Sequence, residues 1–124
     1  MEFKEPLFFV NEYPVYHLSD KRKEEAARMQ ANGFVHDCYI SDGIKNYYGE
    51  SAINEDEYYQ YYYKFNEETV RNGGEVFEIL DTEDNKNELI GVMSFHSFLV
   101  WKTMQVDTPK QMAPLFEIGK GFSK

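Results

Sequence analysis

Cysteine is almost absent. Cys38 is the only one in 124 residues, so no intramolecular disulfide can form and a cysteine-rich secreted scaffold is excluded. Base is scarce as well: 13 Lys and Arg stand against 22 Asp and Glu, giving a net charge of −9. The cations are scattered, which argues against direct binding of nucleic acid, because phosphates are held by clustered Lys and Arg that displace counterions. Anionic membrane surfaces are disfavoured on the same ground. No apolar run approaches the ~20 residues of a membrane span. The opening Met1-Glu2-Phe3-Lys4-Glu5-Pro6 lacks the basic segment and apolar run of a signal peptide, so a cytoplasmic location is expected. Without a repeat, a Gly/Ser linker or a Pro-rich segment, residues 1–124 read as one domain, with the tail after about residue 107 hard to assign.

Negative charge is concentrated. Between Glu50 and Glu88 twelve acids face three bases, Lys64, Arg71 and Lys86, so this stretch holds the whole net charge and the rest of the chain is neutral. The same stretch carries Tyr58, Tyr59, Tyr61, Tyr62 and Tyr63. An aromatic fraction of 17% and a hydrophobic fraction of 42% supply enough burial to offset chain entropy, so the acidic composition does not imply disorder.

Local patterns predict the elements. Leu7–Leu18, rich in Phe, Val and Tyr, reads as a strand broken near Pro14, which should mark a sheet edge. Ser19 or Asp20 can cap a helix over Lys21–Ala31 that buries a small-residue face and stops at Asn32-Gly33. Phe34–Ile40 alternates with a period of two, predicting a strand, and Ser41-Asp42-Gly43 predicts a turn. Asn54 and Glu57 resemble a capping box, Glu55 and Asp56 suit the positive end of a helix dipole, and Gly73-Gly74 ends the helix predicted over Glu55–Asn72. Val76–Leu80 and Leu89–Trp101 follow as strands joined by the polar loop Asp81–Asn87, and Leu115–Ile118 suggests a short strand. The fold class is therefore α+β, a mainly antiparallel sheet of about four or five strands with two helices packed on it.

Projected at ~100° per residue, the helix over Glu55–Asn72 spreads its apolar and aromatic residues across roughly 200°, about twice the width one sheet contact uses. Tyr58, Tyr61, Tyr62 and Phe65 suit the core. Tyr59 and Tyr63 lie at the edge of the arc, where Tyr is favoured in protein interfaces, and Tyr47 and Tyr48 could extend the patch. With Glu55, Asp56, Glu67 and Glu68 they form the expected partner-binding set: tyrosine anchors ringed by carboxylates that steer toward a basic protein surface.

Catalytic signatures are weak. His36 and Cys38 share a face of the predicted strand, but metal-ligand spacing is missing and nothing identifies an oxyanion hole. No metal or cofactor is expected. The order of strand, helix and acidic-aromatic helix, then Val76-Phe-Glu-Ile-Leu-Asp81, a polar loop and Leu89-Ile-Gly-Val-Met-Ser-Phe95 with Gly91 early in its second strand, resembles the amino-terminal half of the GNAT acetyltransferase superfamily over roughly residues 7–101. That resemblance implies an acyltransferase-like enzyme or its degenerate remnant. The family's Arg/Gln-x-x-Gly-x-Gly/Ala acetyl-coenzyme A loop is missing, and only Gly119-Lys-Gly121 is reminiscent of it. The leading expectation is a non-enzymatic protein-binding inhibitor, made by a phage or mobile element and masking a basic surface of a host or defence protein in the manner of a DNA mimic. A self-assembling structural or virion subunit is a further alternative.

Overall fold

The computed structural model describes residues 5–97 and Leu99. Among these residues four strands form one antiparallel sheet in the order β1-β2-β3-β4, and three α-helices accompany them, so the architecture is α+β. β1 (Phe8–Val10) and β2 (Tyr13–His17) make a hairpin around Asn11-Glu12, with Asn11 at φ 54°, a left-handed conformation that Asn tolerates. The predicted break near Pro14 falls instead at that turn. Pro14 also corrects the edge expectation, because β2 lies between β1 and β3. It faces Phe9 of β1, and the register with β3 begins only at Val15, so its missing N–H lies beyond the end of that ladder.

β3 (Glu75–Asp81) and β4 (Glu88–Phe95) pair along their length. A bulge at Ile79/Leu80 leaves Ile90 as the extra residue and sets Gly91 opposite Ile79, whose Cδ1 lies 3.1 Å from where a Cβ would stand. The loop between them places Asp84, Asn85 and Asn87 at positive φ. β4 stops at Phe95, short of the predicted Trp101. Trp101, the predicted strand Leu115–Ile118 and Gly119-Lys-Gly121 lie outside the described residues.

The largest correction concerns residues 32–48. α1 (Lys23–Asp37) runs straight through Asn32-Gly33 and takes up most of the predicted strand Phe34–Ile40, while α2 (Tyr39–Tyr48) takes its last two residues and the predicted turn. Phe34 and Val35 are adjacent and both buried, which a strand with one buried face cannot provide; on a helix they continue the stripe of Ala27 and Ala31. They enclose a core with Tyr58 and half-buried Cys38 and Tyr62, in which the Phe34 and Tyr58 rings stack at 4.6 Å. Cys38 is extended and separates the helices. Its carbonyl accepts from Ser41 Oγ, while Lys45 Nζ donates to the Val35 carbonyl at 2.7 Å, a cation at a helix C-terminus. α2 packs on α1, whereas α1 and α3 (Glu55–Arg71) lie on the sheet and pack against each other.

α3 follows its sequence signals. Asn54 Oδ1 accepts from the Asp56 and Glu57 amides, and Gly73 at φ 94° ends the helix. Gly74 has no room for a side chain, since a Cβ would lie 2.8 Å from the Phe95 carbonyl oxygen.

The sheet's helix-facing side carries Val76, Glu78 and Leu80; Leu80 and Leu89 meet Ala26 of α1. Phe77 turns to the other side, within 5.7 Å of the rings of Phe8, His17 and Phe95. Glu78 is 2% exposed. Its carboxylate accepts from Arg22 Nη1 at 2.7 Å and from the Ser19 amide at 2.6 Å, and Arg22 Nη2 also donates to the Asn87 carbonyl at 3.3 Å.

Arg22→Ala leaves Glu78 buried beside a single backbone donor and should cost about 3 kcal/mol of stability in urea unfolding. Gly33→Ala should instead stabilise by about 0.5–1 kcal/mol in the same measurement, because Gly33 is helical and a Cβ there meets nothing within 4 Å; a loss of stability would contradict the continuous helix.

Candidate functional site

α3 divides its tyrosines as its projection requires. Tyr58, Tyr61 and Phe65 are buried and Tyr62 is half-buried. The Tyr58 hydroxyl is enclosed without a hydrogen-bond partner. Burial pushes both Tyr58 and Tyr62 from the usual 10 up to about 12, since the charged tyrosinate is penalised where water is excluded.

The outer edge of the helix is less bare than its sequence suggests. The Arg28 guanidinium lies 3.9 Å above the Tyr59 ring and donates to Asp56 Oδ1 at 2.7 Å, so one α1 cation covers the ring and engages the acid. Glu55 Oε1 accepts from Asn32 Nδ2 at 3.1 Å and lies 3.6 Å from His36 Nε2. Glu68 is buried, with its carboxylate 2.7 Å from Arg71 and 3.3 Å from Asn72 Nδ2. Tyr59, Asp56, Glu55 and Glu68 thus help to hold the molecule together. Exposed ion pairs such as Arg28–Asp56 contribute little to stability, but they reduce the charge offered to a partner.

Tyr63 and Glu67 are different. They line a groove of about 280 Å³ between the start of α1 and the second half of α3, together with Leu18, Asp20, Lys23 and Val70. The two cations that line the groove are engaged by other acids, Lys23 by Asp20 at 3.1 Å and Arg71 by Glu68 at 2.7 Å, while Glu67 makes no ion pair among the described residues. Tyr63 and the exposed Val70 give the groove an apolar wall, and Glu67 supplies a free carboxylate beside it. Leu18, Asp20 and Lys23 escaped the sequence reading because they come from another element, and nothing in the α3 periodicity signals them.

Tyr47 and Tyr48 do not extend this surface. They form an edge-to-face pair at 4.7 Å on the exposed end of α2, which packs on α1. His36 and Cys38 also diverge: His36 turns toward Glu55, and Cys38 packs against the Ala31, Phe34 and Tyr58 core. Among the described residues no three His, Cys, Asp or Glu side chains gather as metal ligands, and no helix is long and apolar enough to cross a membrane.

The buried tyrosines make stability depend on alkaline pH. Unfolded tyrosine ionises near 10 and the folded Tyr58 and Tyr62 near 12, so their contribution is complete below pH 10 and is lost as pH rises through 12. Absorbance titration should show these two ionising late, in step with loss of the helical circular dichroism. Ionisation of all ten tyrosines near 10 with the fold intact would contradict their burial. No family model matches this chain, nor does any curated protein or solved structure.

Proposed function

We propose that this chain is a small acidic, non-enzymatic interaction protein that engages a protein partner with a basic surface, and that the Tyr63–Glu67 groove receives a long basic side chain of that partner. The supporting observation is the layout of the groove, an apolar wall of Tyr63 and Val70 beside the unpaired Glu67 carboxylate. Lys and Arg lay their methylenes along apolar surface and carry the charge to its margin. A carboxylate at that margin completes the fit, and tyrosine contributes contact area at low entropic cost. The net charge of −9 steers such a partner from a distance. A concrete version is an inhibitor from a phage or mobile element that occupies a host or defence surface ordinarily holding nucleic acid.

A pull-down from host-cell lysate tests this with wild type beside Tyr63→Ala/Glu67→Lys, at low and high salt. The expected result is a partner retained by wild type at low salt, released by high salt, and bound about tenfold or more weakly by the double variant. Tyr59→Ala, which removes only a ring already capped by Arg28, should retain it. Capture indifferent to both salt and the double variant would remove the basis of the proposal.

A further inference from the structure

α2 carries more apolar surface than its packing uses. Ser41 and Ile44 are buried on the side that meets α1. At ~100° per residue, Tyr39, Gly43, Tyr47 and Ile40 follow one another across the adjoining arc with no charged residue among them. Tyr39 is 95% exposed, Tyr47 82%, Tyr48 54% and Ile40 43%. Lys45, the one cation of α2, is tied inward to the Val35 carbonyl. Gly43 stands midway between Tyr39 and Tyr47, and a Cβ there meets nothing within 4 Å. The stripe is therefore a saddle, two aromatic rims about 12 Å apart along the helix on either side of bare backbone.

We propose that this stripe is the contact between two copies of the chain, their α2 helices crossing antiparallel about a twofold axis at Gly43, with Tyr39 of one copy against Tyr47 of the other. The spacing is symmetric about Gly43, so the surface is complementary to itself, the condition a twofold interface imposes. Glycine at the crossing lets the backbones approach closely. The absence of charge matters on a chain of −9, because most other pairings of two copies would bring carboxylates together. Tyr39, Tyr47 and Ile40 present roughly 400 Å² per copy at about 150–250 Å² for each whole aromatic, and Tyr48, outside the arc but with its ring against Tyr47, adds roughly 100 Å² at the margin. Two copies thus bury at most about 1,000 Å², the size of a weak, transient contact and suited to a concentration-dependent dimer. This inference uses no residue of the Tyr63–Glu67 groove and goes beyond the proposed function.

Sedimentation equilibrium of the full chain tests it across a wide concentration range. Wild type should rise from 14.7 kDa toward twice that mass, and more readily at high salt, which screens repulsion between copies. Gly43→Lys should weaken the dimer about tenfold or more without loss of helicity, since that position opens to solvent. Mixing G43K with G43E should restore association, because the twofold brings residue 43 of each copy together. Tyr63→Ala should leave self-association unchanged, which separates failure of this contact from failure of the groove. A wild type monomeric at every concentration, a G43K variant that dimerises like wild type, or a mixture that stays monomeric would each overturn the proposal.

Discussion

The ion pair between Glu78 and Arg22 is the constraint on which the arrangement of helices over sheet depends. Glu78 sits on the helix-facing side of β3, a position otherwise suited to an apolar residue, and is nearly inaccessible. A carboxylate there is tolerable only if its oxygens are engaged. Arg22 and the Ser19 amide meet both of them, and Arg22 also holds the Asn87 carbonyl. One contact thereby fixes the entry to α1, the middle of β3 and the loop before β4. From that anchored start α1 lays Ala26 on Leu80 and Leu89, and farther along brings Ala31, Phe34 and Val35 to Tyr58 of α3.

The same economy explains why the acidic surface is smaller than the charge implies. Several carboxylates of the stretch from Glu50 to Glu88 are committed inside the molecule or across its α1–α3 seam, to Arg22, Arg28, Asn32 and Arg71. Net charge still sets the long-range field, since pairing inside the molecule leaves the total at −9. The two proposed contacts draw on side chains that this pairing leaves over, Tyr63 with Glu67 on α3 and the tyrosines of α2.

The legible parts of the sequence were those governed by neighbours along the chain. The α3 cap, its acidic first turn and its glycine stop all lie within a few residues of the helix ends, and the hairpin of β3 and β4 is likewise local. α1 and α2 were misread because Asn32-Gly33 is a good helix stop by local rules, and Phe34–Ile40 alternates well enough for a strand. What overrides both is Phe34 stacked on Tyr58, a contact between residues 24 positions apart. The candidate site was readable to the same extent: helical projection located Tyr59 and Tyr63 at the arc's edge. It could not reveal that Arg28 covers one while Leu18 and Lys23 make a groove with the other, because those partners belong to different elements.

The sheet order has a kinetic consequence. β1 with β2, and β3 with β4, are hairpins that close over short loops, whereas β2 and β3 are neighbours in the sheet although α1, α2 and α3 lie between them in the chain. Two local hairpins can therefore form early, but the seam joining them must await a compact helical insert that brings its own ends together. Formation of that seam is the step at which topology slows folding, and until it closes each hairpin presents an unpaired inner strand to solvent and to other chains.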